Sequence, residues 1–328
     1  MASSRDNDLK ERRALLEKLG VYLEKHYGIR IVSLNRLDRG VYRVDRSDGP
    51  KWVARAFPAA RAVERVQGDA EVLRFLEEQG FPAELCACPD PVSAPGGRGV
   101  LVTKYLEGIE VEKTESTLRA FGEMLGRLNT LPAGSGAVAR EAGSLHHYSL
   151  VEGGPRNELD AALSWLDEVE DQVPEKNRTL HKTLREQVAH IDDCHDLPKA
   201  LIHPDPVMKN LIATPDGPVL IDWTGAGRGP RLVSLALFIW SGALNQGGWS
   251  RQNVDAMVTG YRSYVKLEQN ELARLADAMR IRPYVFACWR YRHAMVSGKP
   301  PTGDEWWWPS EGLTQAITAR ARAAFEKV

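Results

Sequence analysis

The sequence predicts an α+β fold in two lobes, a small N-terminal lobe of antiparallel sheet plus one helix and a larger, mainly helical C-terminal lobe. Strand-like runs broken by Gly and Pro turns fill the stretch before Gly108, and helical periodicity takes over beyond it. A single strand-rich insert, Ala200 to Trp223, interrupts the helices. Length agrees, because 328 residues are too many for one minimal core and too few for three ordinary domains. The expected division is residues 1–104, a hinge at 105–108, and residues 109–328.

The first residues are small or charged. From Leu9, the apolar positions Leu15, Leu16, Leu19 and Leu23 follow helical spacing until Gly28. Ile29 to Leu37, Val41 to Val44 and Lys51 to Phe57 read as short strands, joined at Gly40 and at Asp48-Gly49-Pro50. A helix over 61–79 places Val66, Leu73 and Leu76 on one face, and Gly80-Phe81-Pro82 closes it. Cys86 to Gly99 is Pro- and Gly-rich and reads as loop, and Val100 to Val102 is a buried strand. Helices are expected over 117–131, 157–173 and 179–195, with several more after Leu232.

Composition narrows the function classes. Hydrophobic residues at 43% and charged residues at 27% describe a globular enzyme rather than a disordered chain. Forty-three basic against 44 acidic residues leave a formal charge of -1, which gives no general attraction to nucleic acid or to an anionic membrane. Neither a signal peptide nor a membrane span is expected, and the four cysteines (Cys86, Cys88, Cys194, Cys288) lack zinc spacing. A cytoplasmic protein with reduced thiols follows.

The chemistry concentrates in one segment, Leu201 to Trp223. Leu211 to Ala213 and Val219 to Ile221 flank a turn containing Asp216-Gly217, a hairpin signal. His203 and Asp205 enter through a Pro-rich loop, Asn210 starts the first strand and Asp222 ends the second. The hairpin would bring Asp205, Asn210 and Asp222 toward one end, an oxygen-rich set that suits Mg2+. Each residue taken singly also fits a turn cap.

His203-x-Asp205-x-x-x-x-Asn210, followed by Ile221-Asp222-Trp223, resembles the catalytic and metal-binding loops of the aminoglycoside phosphotransferase and choline kinase superfamily, small-molecule relatives of the protein kinases. The resemblance implies a protein-kinase-like fold and transfer of a γ-phosphate from ATP or GTP to a small-molecule hydroxyl. Asp205 would orient the hydroxyl, Asn210 and Asp222 would hold Mg2+, and His203 would brace the loop, with a role as base the alternative.

The likeness spans roughly residues 30 to 240. Trp52 to Ala56 resembles the strand whose cation meets the phosphates, with Arg55 in its place. Asp69 resembles that cation's acidic partner, with Glu71 in reserve about 200° round the helix. Gly40 stands in a reduced Gly-rich loop, and Lys104, Tyr105 and Leu106 match the purine-binding hinge. Leu125-Gly126-x-Leu128-Asn129 resembles the helix behind it, with Asn where His is common. Departures are Pro204 for the usual Gly, Val207 for a second His, and Gly229 to Ala236 without the usual acids.

The acceptor is the least determined part. The acidic residues Asp160, Asp167, Glu168, Glu170 and Asp171 could receive an amine or be a solvated face. Trp289 and Trp306 to Trp308 could stack on an acceptor or pack a core. A binding protein that holds nucleotide without transfer is the competing function. The Trp after Asp222 opposes a protein kinase.

Overall fold

The computed structural model describes residues 18–134, 136–143, 154–245, 248–305 and 307–327. The expected helical positions from Leu9 to Leu16, and Trp306, lie outside them. The chain divides into two compact units, one running to Ile109 and taking in Ile212–Ile221, the other comprising Glu110–Leu211 and Asp222–Val328.

In the first unit a helix, α1 (18–27), ends at Gly28, whose φ of 65° is the left-handed conformation that closes helices. Strands β1 (Ile31–Asp38), β2 (Val41–Arg46), β3 (Trp52–Ala56), β4 (Val92–Ser93) and β5 (Val100–Lys104) form one antiparallel sheet in the order β1-β2-β3-β5-β4. Alternation along these strands turns Val44, Trp52, Ala54, Val100 and Val102 into a core shared with Leu23 and Ile29. Trp52 is held from two sides, by the Arg46 guanidinium 4.2 Å from its ring and by the edge of Tyr27. Helix α2 (Val63–Glu78) buries Val66, Ala70, Leu73 and Leu76. The stretch read as loop at 86–99 contains β4, which pairs with β5 for only two residues, too few to leave an alternating pattern.

A second sheet joins β6 (Ile109–Glu110), β8 (Leu211–Thr214) and β9 (Gly217–Leu220). The expected hairpin is present: Pro215 and Asp216 turn, and Gly217 opens β9 at φ 116°.

The second unit is built on helices α3 (Glu115–Thr130), α4 (Gly154–Val169), α5 (Arg178–Ala189), α6 (Arg231–Ala243), α7 (Arg251–Arg262), α8 (Gln269–Ala273), α9 (Leu275–Val296) and α10 (Glu311–Glu326), with the paired strands β7 (Lys199–Ile202) and β10 (Gly227–Pro230) and the short ribbon β11 (Leu244–Asn245) and β12 (Gly248–Trp249). Helix α3 starts two residues before the expected position because Thr114 and Thr117 form a reciprocal capping box. Helix α5 stops at Ala189, short of the expected 195. Asp192 and Asp193 each accept from a backbone N–H two residues on, and these turns compete with the helix.

Helix α3 meets α7 through small residues. A methyl at Gly122 would lie 2.4 Å from the Met257 carbonyl oxygen, and one at Gly260 would strike the Arg119 carbonyl oxygen. The backbones touch here, so the spacing of two major helices is set by hydrogen atoms in place of side chains. Gly122→Ala is therefore expected to lower the unfolding free energy by about 2 kcal/mol. The measurement is the urea midpoint, with Gly134→Ala, where a methyl meets nothing within 4 Å, as the control.

Candidate functional site

The loop between β7 and β8 is anchored by a buried histidine. His203 is fully buried and packs edge-on against Trp223, ring centroids 4.7 Å apart. Its Nδ1 accepts the Asp205 backbone N–H at 3.1 Å, which puts the ring proton on Nε2 and leaves the imidazole neutral. Its carbonyl accepts from Ser234 Oγ on α6 at 2.9 Å. One residue before the end of β7, the Leu201 carbonyl accepts from Asn129 of α3, whose Oδ1 in turn accepts from Tyr261 of α7. Burial pushes the Tyr261 phenol up, so it remains a donor. Asn129 thus does a structural task, tying α3, β7 and α7 together.

Asp205 is presented from this base. Val207 donates its N–H to the Asp205 carbonyl, and the short 3₁₀ turn Met208–Asn210 brings Asn210 back beneath it. Asn210 Nδ2 donates to the Asp205 carbonyl at 2.8 Å and lies 3.3 Å from its Oδ2. Two cations face the carboxylate, Lys209 Nζ at 3.7 Å from Oδ2 and Arg282 Nη2 of α9 at 3.6 Å from Oδ1. Arg282 was not among the residues the sequence singled out. It stands far along the chain in an Arg-rich helix, and no local spacing marks it.

Asp222 follows β9 with φ 68°; with Cys194 it is one of two non-glycine residues at positive φ among those described. Such a conformation costs an L-residue about 1 kcal/mol or more and recurs at functional sites. Downstream, Gly143 N–H bonds the Gly225 carbonyl and the Arg140 side chain bonds that of Ala226, which ties down the turn between Trp223 and β10. The side of Pro204 lies 3.8 Å from the position of a methyl on Gly225.

In the first unit, Asp69 is buried, whereas Glu71 is exposed. Asp69 accepts from Arg61 Nη2 at 2.8 Å, and the Arg61 guanidinium lies over the Phe57 ring. Arg61 is a second cation the sequence reading passed over, because it sits in the turn after β3 and outside any strand pattern. Arg55 is half-buried on β3, in register with Val41 and Leu101. Gly40 has φ 75° and its carbonyl accepts from Ala56 N–H at 2.7 Å; a methyl there would lie 2.6 Å from the Ala56 carbonyl oxygen. Its glycine is thus required by the turn itself. Along the expected hinge, Lys104 N–H bonds Leu85 and Tyr105 N–H bonds Lys51, while Leu106 lies beyond the last ladder pair, Trp52 with Lys104.

Two acids of α4 are tied to neighbouring helices. Asp167 pairs with Arg185, and Glu168 takes a two-pronged bond from Arg292, which holds its carboxyl below the usual range. Glu170 and Asp171 fall in a 3₁₀ turn beyond the helix. Trp289, Trp307 and Trp308 are half-buried. All four cysteines are free thiols, and burial pushes Cys86 up to about 11 and Cys194 up to about 12, so neither is a ready nucleophile. Among the described residues no helix is long and apolar enough to cross a membrane, and no group of three or more His, Cys, Asp or Glu is arranged to hold a metal.

A family model described as the phosphotransferase enzyme family matches residues 28–267. No curated protein matches the sequence. Similar solved structures include the amicoumacin kinase hAmiN in complex with AMP-PNP, Ca2+ and Ami, at 15% identity over 97% of this chain and 95% of that one, TM-score 0.62. The choline kinase LicA from Streptococcus pneumoniae aligns at 15% identity over 96% and 99%, TM-score 0.56. The aminoglycoside phosphotransferase APH(3'')-Id from Streptomyces rimosus ATCC10970, in complex with ADP and streptomycin, aligns at 18% identity over 81% and 97%, TM-score 0.56. The fold is the kinase-like α+β fold that the sequence predicts.

The conformation at Asp222 can be tested apart from any activity. Asp222→Ala is expected to be about 1 kcal/mol less stable than Asp222→Gly, the reverse of the order within a helix, because only glycine adopts positive φ without cost. Paired urea melts check this, since both variants lose the same carboxylate.

Proposed function

The chain belongs to the phosphotransferase enzyme family, as a phosphotransferase of the small-molecule kinase type, and from that premise we propose that it moves the γ-phosphate of ATP or GTP to an alcohol hydroxyl. The observation that carries this reading is the clamp on Asp205, a carboxylate raised on a buried His203 and held by Asn210. Asp205 accepts the hydrogen bond of the acceptor hydroxyl and turns its oxygen in line with the γ-phosphorus. Phosphoryl transfer depends on positioning and charge more than on a strong base, so a carboxylate held by its neighbours is sufficient.

The donors suit Mg2+. Asn210 directs its amide nitrogen to Asp205, so its Oδ1 is the atom on offer, and Asp222 adds a carboxylate. Mg2+ is usually held by one or two such groups, with phosphate and water oxygens completing six, so no cluster of acids is needed. When bound, the cation would neutralise charge on the nucleotide phosphates. The first unit is the nucleotide lobe in this reading and the second carries catalysis and the acceptor. Arg55 meets phosphate charge, with Asp69 and Arg61 ordering the cations around it. The turn at Gly40 covers the phosphates. Beyond the last ladder pair, the Leu106 N–H supplies the purine donor, with Lys104 and Tyr105 fixing the strand that leads to it.

Hydroxylated antibiotics, amino alcohols and sugars are the acceptors in view, in keeping with the amicoumacin, choline and streptomycin named for the structural relatives. The paired acids of α4 lend no support to a polycation. Release of ADP or GDP with Mg2+ across such a panel is the test. Asp205→Ala is expected to cut acceptor-dependent turnover by about 100-fold or more while nucleotide affinity changes by less than about threefold. Parallel loss of both, or failure of the wild type to bind either nucleotide by thermal shift, would overturn the assignment.

A further inference from the structure

The face of the first sheet that carries Arg55 also carries a second arginine. Residues directly opposite in neighbouring strands share a face, and so do residues two apart along one strand. Arg43 of β2 stands opposite Asn35 of β1 and Val53 of β3, and Val53 stands opposite Thr103 of β5. Val53 comes two residues before Arg55, so Arg43, Val53 and Thr103 form the row beside that of Val41, Arg55 and Leu101, on the hinge side. The other face holds Val44, Trp52, Ala54, Val100 and Val102 and is closed by the core. Across the Arg55 face burial falls away. Leu101 and Thr103 are buried, Val53 and Arg43 are half-buried, and Asn35 is exposed.

The Arg43 guanidinium is fixed from two sides. Its Nε lies 2.9 Å from Asp45 Oδ1, and its Nη2 donates to Oδ2 at 3.1 Å. Ser33 Oγ and Asn35 Nδ2 of β1 each donate to the same Oδ2 at 2.7 Å, so the acid is itself held. Ser33 first, and then Arg43, keep its carboxyl below the usual range. On the other side the guanidinium carbon lies 5.6 Å from the centroid of the Tyr105 ring. Lys51 also approaches that ring, at 5.7 Å, but its ammonium is engaged by Glu107 at 2.6 Å. Tyr105 follows β5, and β3 separates β5 from β2. A side chain that starts on β2 and reaches Tyr105 therefore crosses β3, over the row of Val53.

We propose that the Arg43 guanidinium is the surface on which the nucleotide base stacks, and that the site therefore takes either purine. The proposal rests on the reading of Arg55 as the phosphate cation and of the Leu106 N–H as the purine donor. A nucleotide that joins those two must lay its base on the row between them, which stands about 7 Å from Arg55 at the rise of a strand. A guanidinium is planar and weakly hydrated, and it stacks on the π-face of a base as it does on an aromatic ring. Such a contact reads neither edge of the base, so it rewards ATP and GTP alike. Asp45 and Tyr105 set the plane before the nucleotide arrives, which spares the cost of ordering a long side chain.

The test is calorimetric titration of the full chain with the Mg2+ complexes of ATP, GTP and inorganic tripolyphosphate, which carries the charge without a base. Arg43→Ala is expected to weaken ATP and GTP by about fivefold each, the scale of one cation–π contact, while tripolyphosphate changes by less than about 1.5-fold. Arg43→Lys keeps the charge and loses the plane, and should stay within about twofold of Arg43→Ala. Thermal melts without ligand show that each variant is folded. Unchanged ATP and GTP affinities in Arg43→Ala, or an effect on one purine alone, would overturn the stacking role and leave the nucleotide reading standing. So would tripolyphosphate weakened in step with ATP, or full recovery by Arg43→Lys, since either would make Arg43 a phosphate charge. Failure of the wild type to bind either nucleotide would overturn both.

Discussion

The Asp205 N–H bond to His203 Nδ1 is the contact on which the site depends. The Asp205 side chain is 16% exposed, and the chain anchors it through its fully buried neighbour His203. His203 is enclosed by Trp223 and by the Ser234 hydroxyl on its carbonyl, and a neutral ring can be buried there without a charge to desolvate. The β7 strand before it is fixed through Asn129, which joins α3, β7 and α7 in one short chain of hydrogen bonds. That chain requires α3 and α7 to lie close, and the glycine contacts between them permit it. A helix–helix spacing is thereby transmitted to the position of the Asp205 carboxylate.

Charge is distributed by the same logic. Asp69, buried in the first unit, is matched by Arg61; in the second unit Glu271, fully buried, takes a two-pronged bond from Arg231. A buried charge without a partner is costly, so such acids are paired. The α4 acids follow suit at the surface with Arg185 and Arg292. Asp205 differs from all of these, because its neighbours Lys209 and Arg282 stand 3.6 to 3.7 Å away, outside direct hydrogen-bond distance, and its backbone carries the tighter bond to Asn210. It is held chiefly through its backbone, with Asn210 Nδ2 also donating to its Oδ2 at 3.3 Å.

Much of this was legible in the chain, for local reasons. Period-two alternation marked the strands of the first sheet, and Asp216-Gly217 marked the hairpin. The interval from Asp205 to Asn210 spans a single short turn, so the two residues had to meet whatever the rest of the molecule did. Helical phase places Asp69 on the face of Leu73 and Leu76, and Asp69 is buried while Glu71 is exposed. Helix ends were less legible, since the Asp turns that stop α5 compete with a periodicity that continues past them.

What the sequence by itself determined is therefore what depends on neighbours within a turn or two: the elements, the His203-to-Asn210 loop, and the glycines at bends such as Gly40. Tertiary structure alone decided which charges face one another. Arg282 reaches Asp205 across 77 residues, Glu168 reaches Arg292 across 124, and Arg61, from the turn after β3, pairs with Asp69. Electrostatic pairing depends on distance in space and is blind to distance along the chain, and with 43 basic and 44 acidic residues there are far too many candidate pairs for composition to choose among them.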